Sequence, residues 1–317
     1  MSGQTSGILY ALAGFAIYAL HDVFIKLLGG TYSPFQVVFF SVLFAFPLTS
    51  LMLIREAEPA TLRPVHPWWM AARTLAIVIA SGASFYAFST LPLADTYAIL
   101  FSMPILVTLL AIPILGERIH LHRGIAILMG LIGVVIVLRP GDSALTLGHL
   151  AALVGASCSA LGAVIVRRTS RDERPVTLLL YPMLATFAVM GAMLPVVYHP
   201  MEGRDFAMSA AIAAMAFAGM LLMIMAYKRA EAALVAPMQY SQMIWAVIYG
   251  WMIFGEWPGP STLIGVSLII ASGLYIVFRE TRAGASRTTP VLETRSRAGT
   301  PGIPRVSLAL RLLNLKR

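Results

Sequence analysis

The chain has 317 residues, 59% hydrophobic and 12% charged, with a mean hydropathy of +0.82 and a net charge of +9. Soluble domains carry about 25% charged residues, so a soluble globular fold is excluded, and disorder falls with it because disorder needs low hydrophobicity. Nucleic-acid binding is not expected, since the 23 Lys and Arg sit in short connections and a tail; the single Cys158 excludes a disulfide framework or a cysteine-based metal cluster.

What remains is an all-α integral membrane protein. A spanning helix needs about 20 apolar residues. Ten apolar runs of that order lie near 8–28, 35–54, 68–90, 93–115, 120–138, 146–166, 176–198, 206–227, 232–254 and 261–278. Short breaks separate them, with turn or charge signals at Gly29–Gly30, Glu56–Pro67, Leu91–Pro92, Gly116–Arg123, Arg139–Asp142, Arg167–Pro175, His199–Asp205, Lys228–Glu231 and Gly255–Pro260. Strand-length runs of period two are absent, which argues against a barrel. Lipid offers the backbone no hydrogen-bond partner, so helices are the remaining solution. The first span has no basic residue before it and no small-residue cleavage site after it, and reads as a retained helix.

Lys and Arg set the orientation. With the N-terminus inside, eleven fall on the inner side: Arg55, Arg63, Arg73, Arg118, Arg123, Arg167, Arg168, Arg171, Arg174, Lys228 and Arg229. Three fall outside: Lys26, Arg139 and Arg204. The expected location is the bacterial cytoplasmic (inner) membrane, multi-pass, with both termini cytoplasmic. Residues 281–317 form a basic tail read as disordered, and its last stretch, Arg305–Arg317, alternates basic and leucine-rich positions.

The chain repeats itself. Residues 11–28 match 152–169 without a gap at Ala11/Ala152, Leu12/Leu153, Gly14/Gly155, Ala19/Ala160, Leu20/Leu161 and Val23/Val164, and Lys26 falls opposite Arg167. Residues 93–117 align with 232–256, both ending in Gly-Glu. The offset is about 140 residues, or five spans. Five is odd, so the halves 1–140 and 141–280 enter the membrane from opposite sides. This is an inverted-topology 5+5 repeat, the architecture of secondary transporters.

These features resemble the EamA type of the drug/metabolite transporter superfamily. MQYSQMIWAVIYGWMIFGE followed by LIGVSLIIASGLYIVFRE carries the resemblance most closely. ALHDVFIK followed by FFSVLFAFP is similar to the importers of riboflavin and S-adenosylmethionine in that family. Ser41 stands where many relatives have Arg, so substrates of Arg-bearing members are not carried over. The resemblance implies a secondary, alternating-access carrier of a small organic metabolite, first of all riboflavin uptake. S-adenosylmethionine-like import and amino-acid or drug export are the alternatives.

Ionisable side chains within a span need a reason to be there. Tyr18, His21 and Asp22 in the first span form a polar patch for substrate contact or proton transfer; alternatively Asp22 pairs with Lys26, four residues on. The fourth span offers Tyr97 and Phe101 near Pro104, and the ninth offers Gln239, Tyr240, Gln242 and Trp245 after Pro237. Proline removes a helical hydrogen bond and opens a bend of the kind transporter sites use. The amides can bond a polar ligand and the rings can stack on a planar one. Glu117 and Glu256 are expected to cap helices or pair with loop arginines. No Walker loop, HExxH or GxSxG occurs, so no enzyme activity, cofactor or metal is expected. The expected partners are a small-molecule substrate and the lipid bilayer; a homodimer is left open. A reporter fused at Arg317, or inserted within Arg167–Pro175, should read as cytoplasmic; a periplasmic signal at either position overturns the orientation.

Overall fold

Every element among the described residues of the computed structural model is helical; these residues are 3–53, 63–116, 121–138, 145–170, 172–230 and 232–282. The expectations for Glu117, Arg139 and the tail beyond Arg282 lie outside them. Six helical stretches are long and apolar enough to cross a membrane: Gln4–Gly29, Pro67–Thr90, Leu93–Leu115, Leu147–Thr169, Val176–Val197 and Gly203–Arg229. Three shorter apolar helices accompany them, Pro34–Thr49, Gly124–Leu138 and Pro260–Tyr275.

The elements are α1 (Gly3–Gly29), α2 (Pro34–Leu53), α3 (Pro67–Thr90), α4 (Leu93–Leu100), α5 (Met103–Leu115) and α6 (Leu121–Leu138). Then come α7 (Leu147–Thr169), α8 (Pro175–Val197), α9 (Gly203–Arg229), α10 (Ala232–Val235), a 3₁₀ turn (Ala236–Tyr240), α11 (Ser241–Phe254) and α12 (Pro260–Arg282). Proline stands in the first two positions of α2, α3, α5, α8 and α12, where its missing N–H costs nothing. Gly116 and Gly255 end α5 and α11 in left-handed conformation, at φ 71° and 66°. A residue without Cβ takes that conformation freely. The Gly255 N–H closes on the Trp251 carbonyl at 3.1 Å and the Gly116 N–H on that of Ile112 at 3.0 Å, the single bond of an αL cap. The glycine of each Gly-Glu pair is thus a helix cap.

Two expected spans are interrupted. The run 93–115 breaks at Phe101–Ser102, and 232–254 is built from α10, the 3₁₀ turn and α11. Pro104 has no N–H for the Leu100 carbonyl, and Pro237 has none for Ala233.

Packing pairs α1 with α9, α3 with α7, α6 with α12 and α2 with α8. α5 lies on α7, and α11 on α1. Small residues set these seams, because lipid supplies no hydrophobic drive and close approach must bring helices together. A Cβ on Gly7 would lie 2.5 Å from that of Ala230, and one on Gly14 would lie 3.3 Å from Met223 Sδ, both on α9. In the α3–α7 seam, Gly148 faces Thr90, Gly155 faces Ser84 and Gly162 faces Ile77. Each set recurs every seven residues along its helix. The outer face of α6 shows Ile125, Leu128, Ile132 and Val135 more than half exposed, an apolar surface suited to lipid.

Gly155→Val overpacks the α3–α7 seam, since a Cβ there would already lie 2.6 Å from Ser84 Oγ. It should lower the unfolding midpoint in detergent by about 3–8 °C. Gly203→Ala, where a Cβ meets nothing within 4 Å, should leave the midpoint within about 1 °C. Equal midpoints for the two variants would contradict the seam.

Candidate functional site

The two helix breaks meet. Phe101 ends α4 and Tyr240 ends the 3₁₀ turn, and their rings cross edge to face with centroids 5.6 Å apart. The contact extends into a ladder. Tyr97 lies 5.6 Å from Phe101, and Phe88 of α3 lies 5.3 Å from Tyr97. All four rings are buried. α12 makes room for the last of them: a Cβ on Gly273 would collide with the Tyr240 hydroxyl.

The ladder ends on a carboxylate. The Tyr97 hydroxyl donates to Asp22 Oδ2, and His21 Nδ1 lies 2.7 Å from Asp22 Oδ1. With Asp22 ionised, Nδ1 carries the proton and donates it. Asp22 is 1% exposed and His21 4%. The imidazole in turn meets the Phe85 ring edge on, with centroids 6.5 Å apart. Burying a carboxylate requires such donors.

Lys26 does not pair with Asp22. Its Nζ pairs with Glu256 Oε1, donates to the Leu91 carbonyl at 2.6 Å and lies 5.1 Å from the Phe254 ring centroid. Glu256 Oε2 also accepts the Leu93 N–H at 3.1 Å, at the start of α4, where a carboxylate meets the positive end of the helix dipole. Glu256 thus meets the start of α4 rather than the helix that follows it in the chain, and its cationic partner is Lys26 rather than a loop arginine. The pair ties α1, the α3–α4 connection and the α11–α12 connection at one end of the bundle. Two further ties sit at this end. Tyr32 donates to Asp205 Oδ2 at 2.5 Å, and that bond raises the Tyr32 hydroxyl above its ordinary pKa. Gln36 exchanges two bonds with the His199 backbone, at 2.7 and 2.9 Å. At the other end Glu173 accepts the His66 N–H at 2.6 Å.

Of the residues expected in the site, the structure brings together His21, Asp22, Tyr97, Phe101 and Tyr240. Gln242 is buried and follows Tyr240 by two positions. Tyr18 lies elsewhere, on Gly219 of α9 and in a satellite cluster with Phe15, Ala226 and Val235. Trp245 stacks on Tyr249 at 5.9 Å rather than joining the ladder, and Gln239 is half-buried. Phe88, a weaker aromatic candidate of the third span, joins the ladder. Phe85 and Gln36 are not expected from the sequence: a glutamine within an otherwise apolar span was the available signal for Gln36, and a single phenylalanine in such a span carries none.

The pattern of the EamA-like transporter family matches residues 5–139 and again 146–278. The chain belongs to that family. This EamA-like chain is 24% identical to the S-adenosylmethionine uptake transporter of Rickettsia felis, over 88% of its length and 94% of the relative. It is 25% identical to a riboflavin transporter of Rhizobium johnstonii, over 75% and 79%. It is 23% identical to the pseudopaline exporter of Pseudomonas aeruginosa, over 84% and 94%. One solved crystal structure, 19% identical, superposes with a TM-score of 0.58 over 90% of this chain and 100% of its own; that likeness concerns fold alone.

Lys26→Met and Glu256→Gln should each destabilise this EamA-like protein by roughly 1–3 kcal/mol, because each leaves a half-buried partner uncompensated. The double variant should recover most of the loss in a thermal-unfolding cycle. Lys26→Met should not rescue Asp22→Asn. Additive losses at Lys26 and Glu256 would refute the pairing.

Proposed function

We propose that the chain is a secondary carrier that takes up a small planar-ring metabolite across the bacterial inner membrane, of the S-adenosylmethionine type. The observation that carries this reading is the aromatic ladder joining the two broken helices and ending on Asp22. Rings present faces to a planar heterocycle, and a carboxylate among them suits a substrate that brings a positive charge, as a sulfonium does. The relatives that take up S-adenosylmethionine span nearly the whole chain. Riboflavin uptake, the first expectation from sequence, is the second reading. The uncharged donor Gln242 and a riboflavin transporter among the relatives favour it.

The proposed architecture is ten spans in a 5+5 inverted repeat, residues 1–140 and 141–280, with both termini in the cytoplasm. Its support is the reciprocity of the packing. Exchanging α1 with α7, α3 with α9 and α5 with α11 turns the α1–α9 pairing into α7–α3 and the α5–α7 pairing into α11–α1. Gly7 and Gly14 on α1 correspond to Gly148 and Gly155 on α7, and the family pattern occurs twice. In an alternating-access cycle the ties at the Lys26 end and those at His66 would open in turn. Tyr18, His21, Asp22, Tyr97, Phe101, Gln239, Tyr240, Gln242 and Trp245 remain the proposed substrate residues, with the five clustered ones at the centre. Asp22 and His21 are the proposed proton-coupling pair, because histidine titrates near neutral pH.

The test is uptake of radiolabelled S-adenosylmethionine and riboflavin into proteoliposomes, with and without an imposed proton gradient. S-adenosylmethionine should accumulate, and the gradient should raise the accumulation. Asp22→Asn should keep substrate exchange at equal pH but lose the gradient-driven part, since an amide has the carboxylate's shape and no titratable proton. Accumulation of riboflavin alone would select the second reading. Accumulation of neither compound would reject both.

A further inference from the structure

Buried hydroxyls in this fold have a habitual partner. Ser41, Ser81, Thr108, Thr169 and Ser209 each donate to the carbonyl four residues back, the usual resort of a helical hydroxyl. Ser102 and Ser241 do not. Their Oγ atoms are buried and have no hydrogen-bond partner, and the same is true of Gln242 Nε2.

The reason lies in the breaks. Ser102 follows Phe101, and Ser241 follows Tyr240, the two rings that touch. Both serines have nearly the same backbone, φ −68° and ψ −12° for Ser102, φ −62° and ψ −22° for Ser241. In both, the backbone N–H turns to the carbonyl three residues back, Ile99 and Met238. That tighter turn carries the side chain off the carbonyl it would otherwise use. Of the other hydroxyls without a partner, Ser84 and Ser272 lie against Gly155 and Gly130 in helix–helix seams, where close backbone approach accounts for them, and Thr74, Thr177 and Thr186 lie within α3 and α8, away from the breaks. The breaks are different: a pair of corresponding positions, 139 residues apart in the chain, presents the same unsatisfied group beside the same kind of ring.

Leaving such groups unpaired inside a protein is costly, so something supplies the missing bonds during function. We infer that Ser102, Ser241 and the Gln242 amide form a specificity subsite that hydrogen-bonds the polar edge of the transported heterocycle. This rests on the transport reading above. Each hydroxyl both donates and accepts, while the amide nitrogen only donates. The set is uncharged. It therefore suits an edge that alternates ring nitrogens or carbonyls with N–H groups, such as the edge of a purine or a flavin. The sulfonium or other charge of the substrate is left to Asp22. Phe101 and Tyr240 are then in place to take the faces of the same ring system.

The experiment measures uptake kinetics in proteoliposomes with S-adenosylmethionine and riboflavin as probes. The variants are Ser102→Ala, Ser241→Ala, the double alanine variant and Ser102→Thr, and the unfolding midpoint is recorded for each. Each alanine should raise the half-saturating concentration roughly fivefold, and the pair roughly twentyfold. The maximal rate and the midpoint should stay at wild-type values, because no protein partner is lost. Ser102→Thr, which keeps the hydroxyl, should restore the wild-type half-saturation. A double alanine variant with wild-type half-saturation would overturn the subsite and assign the hydroxyls to ordered water. So would a lowered midpoint with a proportionate loss of rate at constant half-saturation. If the wild type takes up neither probe, the transport reading fails and the subsite with it; the two failures are thus distinct.

Discussion

A backbone surrounded by hydrocarbon must hydrogen-bond to itself. The rest of this molecule follows from that requirement. It makes every described element helical, and it makes each break in a helix expensive. Among the described residues two of the long apolar runs break inside the bundle, at Phe101–Ser102 and at 236–240, and at each a nearby proline has no N–H to donate. The molecule sets one break against the other, with Phe101 on Tyr240. The freed polar groups therefore face protein instead of lipid. Broken backbone, buried serines and aromatic rings occur together because the first makes the others possible.

The same solvent explains the glycines. Apolar side chains gain nothing by leaving lipid for another helix, so association depends on contact area and close approach. Heptad-spaced glycines on α1 and α7 let α9 and α3 come close. The space they release is also used for rings: Gly219 accepts Tyr18, and Gly273 accepts Tyr240. Packing and site are in this sense one arrangement. A residue larger than glycine at 273 would push the Tyr240 hydroxyl aside and with it a ring of the ladder.

Much of this was legible in the chain. The apolar runs gave the helices to within a few residues, because hydrocarbon thickness fixes their length. Gly-Glu marked span ends because glycine alone adopts the left-handed cap freely. Pro104 and Pro237 announced the breaks. What was not legible depends on distance along the chain. Lys26 lies one helical turn from Asp22, and helical spacing alone makes them partners. The fold instead brings Glu256, 230 residues away, to Lys26, and gives Asp22 to Tyr97, 75 residues away. Tyr18 and Trp245 have the right chemistry, but they face α9 and Tyr249. Residue type announces what a side chain can do, and only the packing decides what it meets.

The Glu256 and Asp22 carboxylates are held differently. Glu256 is held by a full opposite charge at the end of the bundle, with both side chains still partly exposed at 11% and 25%. If the ends separate, water replaces each partner, and an ion pair near water is worth little once hydrated. That tie is firm while closed and inexpensive to open. Asp22 lies among rings, where water does not reach it in this state, and an ion pair broken there would leave two bare charges. Its donors are instead a tyrosine hydroxyl and an imidazole. A carboxylate thus meets a full opposite charge where water can return, and hydrogen-bonding rings where it cannot.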